Sequence, residues 1–262
     1  MITTVDVETS TKNKGNPFTK GNLLVNVGLR SNQTTTIKYY DDKDFKKHVQ
    51  EQLNKSSMLI GFNIKFDLHW LRNGNFDFSH CRIWDCQLAH FILTGQREPY
   101  PSLNSVANHY GLGSKLDVVS EQYWDKGIDT QDIPREVLSD YLEQDLLLTE
   151  RVYLKQVEDF AQNHPPETLT LFKLQCLDLL VLQEMEYNGM WFDVEESEML
   201  AEQEERAINQ IEAKLNETTE VPINWGSRDH LSCYLYGGSI IIKERLPVGV
   251  YKTGAKIGQQ RY

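Results

Sequence analysis

Over the first 110 residues, short β-branched or apolar runs alternate with helical segments, and that alternation restricts the chain to an α/β architecture. TTVDVE, LLVNVGL and TTTIKYY read as strands, and the turn-like Ser31-Asn32-Gln33 between the last two predicts an early antiparallel pair. SMLIGFN reads as a buried strand and RIWDC as a further short one. Between and after them, residues 42–55, IKFDLHWLRNG, CQLAHFILTG and SLNSVANHYG have helical character, the last three each closed by a glycine. One long helix is expected from Pro134 to Asn163, with proline suited to its first turn and Pro165-Pro166 just past its end.

His164-Pro165-Pro166 marks the expected boundary between a first domain, 1–164, and a second, 165–262. The second is helix-rich, over 167–187 and 194–216, followed by a short helix in RDHLSCYLYGG, a strand in SIIIKERLP and a basic glycine-containing loop in GVYKTGAKIG. Charge follows this division. The 262 residues carry 27 basic and 38 acidic side chains, a formal net charge of −11, which by itself speaks against a dedicated nucleic-acid binder. The acidity sits in residues 121–220, with 25 acidic and 7 basic side chains, and helical periodicity there makes most of it a solvated helix surface. Residues 1–60 carry 9 basic against 6 acidic, so the local field at that end differs from the global one. No apolar run reaches the roughly 18–20 residues of a membrane span, and MITTVDVETS has no secretory character. The four cysteines form no zinc-like spacing and are expected to be reduced, mostly buried thiols in a cytoplasmic setting.

Three places hold carboxylates where solvation or packing should discourage them. Asp6 and Glu8 alternate with Val5 and Val7, so on a strand both acids face the same side, with α-carbons about 6.5–7 Å apart. Each raises the other's pKa unless a cation lies between them; an exposed strand face is the alternative. On the long helix, at about 100° per residue, Leu138, Leu142, Leu148 and Val152 share a face, with Asp145 near its middle and Tyr141 one turn earlier. A carboxylate there must be hydrogen-bonded, paired or metal-bound. Asp67 falls among Leu68, Trp70 and Leu71 in the first turn of its helix, where helix amides also favour an anion. Asn63 stands four residues before it, where a strand gives way to that helix.

Together, VDVET, GFNIKFD and YLEQD place DxE on a first strand, Asn-x3-Asp at a strand-to-helix junction and Tyr-x3-Asp inside a later helix. Asp67 follows Asp6 by 61 residues, and Asp145 follows Asp67 by 78. This set resembles the three motifs of the tyrosine branch of the DEDD 3′–5′ exonucleases, over residues 1–163. QEMEYNGMWFD and INWGSRDHLSCYLYGG resemble the segments that follow the exonuclease domain in family A DNA polymerases. The resemblance implies a ribonuclease H-like mixed β-sheet flanked by helices, then a helix-rich partial polymerase region at the start of the thumb, without the palm motifs and so without polymerase activity.

The function implied is a proofreading type of metal-dependent 3′–5′ exodeoxyribonuclease, releasing nucleoside 5′-monophosphates from single-stranded DNA 3′ ends or frayed primer termini. Two Mg²⁺ or Mn²⁺ ions are the implied cofactors, for which clustered carboxylates are natural ligands. By resemblance Asp6, Glu8 and Asp145 hold the first ion and Asp6 bridges to the second, which Asp67 reaches directly or through water. Tyr141 orients the attacking water, with Glu8 sharing the task. Backbone amides near Thr9 bind the 3′ end, and Asn63 and Phe66 contact the terminal nucleotides, plain core packing being the alternative for Phe66. The implied setting is the cytoplasm of a bacterial or phage-infected cell, with other replication proteins as partners and no membrane.

One departure from the family stands out: where a bulky apolar wedge often follows the DxE, this chain has Lys12, and Phe18 is the nearest substitute. Asp85 reads as an N-cap for the helix after it rather than a further ligand, and His109 lacks the spacing of the histidine branch because Tyr141 fills that place. Lys243, Arg245, Lys252, Lys256 and Arg261 either track a DNA backbone or are solvated loop charges. A tyrosine-branch exoribonuclease and a non-catalytic DNA- or protein-binding scaffold are the alternatives to the deoxyribonuclease.

Overall fold

The computed structural model describes residues 1–114, 118–240, 249–250 and 260–261. The chain divides into two compact units, Met1–Asn188 and Gly189–Tyr262. In the first, β1 (Ile2–Thr9), β2 (Leu24–Ser31), β3 (Thr34–Tyr39), β4 (Met58–Gly61) and β5 (Arg82–Asp85) form one sheet in the order β3-β2-β1-β4-β5. β1, β2 and β3 pair antiparallel, whereas β4 runs parallel to both β1 and β5. The β2–β3 hairpin turns through Asn32 and Gln33, both with positive φ as the tight two-residue turn demands. The result is the mixed sheet flanked by helices that the resemblance implies.

Strand alternation distributes the two faces of the sheet. Val5 and Val7 of β1 and Val27 and Leu29 of β2 enter the main core with residues of α1 (Phe45–Lys55) and α2 (Ile64–Asn73). The opposite face, carrying Asp6 and Glu8, is crossed by α6 (Arg135–Gln162), reached through α3 (Cys86–Leu93), α4 (Leu103–His109) and the short α5 (Val118–Gln122). Asp6 pairs in register with Gly28. A Cβ on Gly28 would come within 2.6 Å of Leu146 and 2.9 Å of Leu142, so the missing side chain is what lets α6 lie this close to the sheet.

The compact unit runs past His164-Pro165-Pro166 to Asn188. α7 (Pro166–Asn188) belongs to it because Phe172, 1% exposed, inserts against Trp84 and Phe160 at ring-centroid distances of 4.5 and 5.4 Å. Trp84 is itself fixed by an indole hydrogen bond to the buried Gln156, whose amide in turn donates to the Cys86 carbonyl. At its far end α7 meets α2: Glu186 pairs with Lys65 at 2.6 Å and His69 at 2.8 Å, and Glu184 pairs with Arg72. The hydrogen bond from Arg72 holds the Glu184 carboxyl down at about 2. The two prolines therefore turn the chain without separating domains.

The second unit contains α8 (Val194–Asn216), N-capped by Asp193, and α9 (Arg228–Tyr236), N-capped by Ser227. Trp225 donates to Asn216 and meets the Tyr234 ring edge-on, a local contact within that unit. The backbone of Gly249–Val250 (β6) pairs with Gln260–Arg261 (β7). The expected SIIIKERLP strand and Lys243, Arg245, Lys252 and Lys256 lie outside the described residues. All four cysteines are free thiols, three of them buried, and no helix among the described residues is long and apolar enough to cross a membrane.

If α7 is integral to the first unit, Phe172→Ala should destabilise that unit by about 3–5 kcal/mol, the usual cost of emptying a buried aromatic site. Urea unfolding followed through Trp84 fluorescence measures it; a loss below about 1 kcal/mol would return α7 to the second unit.

Candidate active site

Three of the expected residues converge. Asp6 and Glu8 from β1 and Asp145 from α6 each present a carboxylate oxygen such that these atoms all lie within 4.8 Å of one another. Glu8 and Asp145 are buried and Asp6 is half-buried. Asp6, Tyr141 and Asp145 also line one pocket of about 270 Å³, whose walls include Phe62, Leu103, Asn104 and Thr149. That volume lies just below the usual range of small-ligand pockets, about 300–1,000 Å³.

Asp67, 3% exposed, approaches from α2 on the other side of β1, and its Oδ1 accepts a hydrogen bond from the Val7 amide at 3.0 Å. Burial, and secondly the charge of Asp6, pushes its carboxyl well above the ordinary carboxylate range. A cation near Asp6 would reverse that second cause.

Asp85 is the structural counterpart. Buried at 2% exposure, it accepts from the amides of Gln87 (2.8 Å) and Leu88 (3.1 Å), capping α3 as the sequence suggests. It also accepts from Asn63 (3.2 Å) and Ile64 (3.0 Å), tying the start of α2 to that of α3. Burial still raises its carboxyl despite these four bonds. The tie explains how Asn63 is held at φ 57°, ψ 47° at the β4–α2 junction, with its side chain exposed.

Thr9 is buried where the β1–β2 register shifts, Glu8 pairing with Asn26 and Thr9 with Leu24, so that Val25 is the extra residue of a bulge. Phe66 is partly buried against the main core, its ring tip beneath Gly15. A Cβ on Gly15 would meet the Thr9 hydroxyl and the Phe66 ring, so the short turn Lys12–Gly15, with Asn13, Lys14 and Gly15 all at positive φ, closes over both. Phe18 has its ring against His69 and Tyr187 at 5.2 and 6.4 Å, and Lys12 reaches the Lys20 carbonyl.

Sequence reasoning missed Gly28, Asn104 and Trp124. Gly28 had a readable signal, a glycine inside an apolar strand opposite the DxE, which often marks close backbone approach. Trp124, whose ring meets Tyr141 edge-on at 5.6 Å, had none, because nothing in local spacing relates residues 124 and 141.

Residues 5–158 match a family model described as 3′-5′ exonuclease. The chain belongs to that family. Its relationship is with the exonuclease domains of family A DNA polymerases: DNA polymerase I of Bacillus subtilis is 29% identical over 156 residues, 58% of this chain. The chain spans 17% of that relative's length. Among solved structures, the POL domain of Pol1 from M. smegmatis, in complex with DNA primer-template and dNTP, superposes with a TM-score of 0.65 at 14% identity, covering 98% of this chain and 39% of that one. Brucella melitensis NrnC superposes with a TM-score of 0.52 at 14% identity, covering 74% of this chain and 89% of its own; it has also been solved with bound Mg²⁺ and bound to pGG. These likenesses establish the ribonuclease H-like exonuclease fold.

Gly28→Ala should displace α6 by the few tenths of an ångström to an ångström needed to clear Leu142 and Leu146, costing about 1–3 kcal/mol as overpacking. It should also weaken Mn²⁺ binding measured calorimetrically, since Asp145 moves with α6. Unchanged Mn²⁺ affinity in a measurably destabilised variant would show that the approach across Gly28 does not set the carboxylate spacing.

Proposed function

We propose that this chain is a two-cation 3′–5′ exonuclease that hydrolyses the terminal phosphodiester bond of single-stranded DNA 3′ ends or frayed primer termini, releasing nucleoside 5′-monophosphates. The observation that carries the reading is the convergence of Asp6, Glu8 and Asp145, three hard oxygen donors from two distant parts of the sequence. Such a donor set fits Mg²⁺ or Mn²⁺, with Asp6, Glu8 and Asp145 holding one ion and Asp6 and Asp67 serving a second. Bound there, the ions would supply an activated water and charge relief on the leaving oxygen.

The chain's own residues divide the remaining work. Tyr141, one helical turn before Asp145 and in the same pocket, orients the attacking water by hydrogen bonding, and Glu8 shares that role. The backbone at Thr9 binds the 3′ end, while Asn63 and Phe66 contact the last nucleotides by hydrogen bonding and stacking. The small pocket selects an unpaired end, because a paired terminus cannot present its last bond to the carboxylates.

DNA is the favoured substrate because both the polymerase I relative and the Pol1 fold, which extends over 98% of this chain, come from DNA polymerases. By the same likeness, residues beyond the exonuclease unit correspond to the start of a polymerase domain; no polymerase activity is proposed for these 262 residues. Other replication proteins are the proposed partners and the cytoplasm the proposed location, consistent with the free thiols. A second reading, cleavage of short RNA, is favoured by the likeness to NrnC, which was solved bound to pGG.

A 5′-labelled single strand should shorten stepwise with Mg²⁺ or Mn²⁺ and remain intact in EDTA. Asp6→Ala combined with Glu8→Ala should lower the rate by about 10³-fold or more, the scale of removing a principal electrostatic element. Full activity in EDTA or in that double variant would overturn the assignment. Matched DNA and RNA oligomers decide the substrate, faster RNA cleavage favouring the second reading.

A further inference from the structure

The connection from Tyr123 to Ile133 touches the candidate site in two places without lining its pocket. Trp124 is half-buried, and its indole Nε1 donates to the hydroxyl of Thr130 at 3.1 Å, a threonine only 1% exposed. With its orientation set in this way, its ring meets that of Tyr141 edge-on, at 5.6 Å between centroids and 84° between planes. At the other contact, Asp129 Oδ2 accepts from the backbone amide (3.3 Å) and the hydroxyl (3.2 Å) of Thr11, two residues past Thr9.

The connection is closed upon itself. The amides of Lys126 and Ile128 both donate to the Tyr123 carbonyl at 3.1 Å, and Gly127 supplies the positive φ of 77° that the turn requires. It packs, together with Tyr141, against a second small core formed by Val25, Tyr39, Val119, Ile133 and Leu138. Tyr39 anchors the start of α6 to the sheet by donating its hydroxyl to the Arg135 carbonyl at 2.9 Å.

A phenol that must orient a water works only if its ring is held, because its terminal torsion is broad. A misplacement of about 1 Å at such a group can cost about 10²-fold in rate. We propose that the 123–133 connection is a brace for the hydrolytic site. Trp124, held by Thr130, is a positioning residue that fixes the ring of Tyr141, and Asp129 fixes the backbone just beyond Thr9. This rests on the exonuclease function proposed above.

Single-turnover hydrolysis of a 5′-labelled oligonucleotide with Mn²⁺, on the full chain, tests it. Trp124→Ala should lower kcat by about tenfold or more while KM and calorimetric Mn²⁺ affinity stay within about twofold. Trp124→Phe, which keeps a ring edge but loses the hydrogen bond to Thr130, should restore part of the rate. Because Trp124 acts through Tyr141, Trp124→Ala should cause little further loss in a Tyr141→Phe background. Asp129→Ala should instead raise KM several-fold with kcat nearly unchanged. Full additivity with Tyr141→Phe, or a Trp124→Ala loss carried entirely by KM, would overturn the role of Trp124; an unchanged KM in Asp129→Ala would overturn that of Asp129.

A readout independent of turnover separates this inference from the function it rests on. In protein labelled with ¹³C-tyrosine, the Tyr141 ring resonance should shift and broaden in Trp124→Ala and return toward its original position in Trp124→Phe. A resonance unmoved in Trp124→Ala overturns the brace even if activity falls. Absence of metal-dependent cleavage by the unsubstituted chain overturns the exonuclease function, whatever the resonance does.

Discussion

The close approach of α6 to the sheet is the constraint on which the site depends. Asp6 and Glu8 sit on a strand, Asp145 on a helix about 140 residues later, and only a helix resting almost on the backbone of β2 brings their oxygens within 4.8 Å. The missing side chain at Gly28, directly opposite Asp6, makes that approach sterically possible, and Leu142 and Leu146 fill the space on either side of it. Apolar packing of α6 thus forces together groups that would repel each other if left alone. The folding energy of the core, rather than any attraction between the acids, holds the cluster in place.

Asp67 and Asp85 show how a buried carboxylate's surroundings divide structural from chemical roles. Both are almost fully buried and both have carboxyls raised by burial. Asp85 accepts four backbone amide bonds across two helix starts, so its charge is committed to the scaffold. Asp67 accepts from the Val7 amide and from its own backbone, and it faces the charge of Asp6. A carboxylate left under-compensated beside another acid is the arrangement a cation would relieve. Asp85 in turn ties down the β4–α2 junction through the Asn63 and Ile64 amides, one turn before Asp67 on α2.

Much of this was legible in the sequence because it is written in local periods. Alternation in TTVDVE gave the shared face of Asp6 and Glu8, and the 3.6-residue period of the long helix placed Asp145 among leucines. The five strands of the first unit, the β2–β3 hairpin and α8 lie where those periods put them. The packing of α7 onto the first unit was not legible, because two consecutive prolines are equally a turn and a linker, and the contact depends on Phe172 inserting beside Trp84, 88 residues away in sequence. The Trp124–Tyr141 contact was invisible for the same reason, since it depends on where two separate segments land on the second small core.

The charge distribution completes the physical account of how an acidic chain meets a polyanion. Along α8 the acidic side chains are exposed, so in solution at physiological salt their field decays within about 8 Å. On the first unit, Lys12, Lys14 and Lys20 bring basic side chains to the turn that folds over Thr9 and Phe66, so the charge carried there is opposite in sign to the chain's net −11.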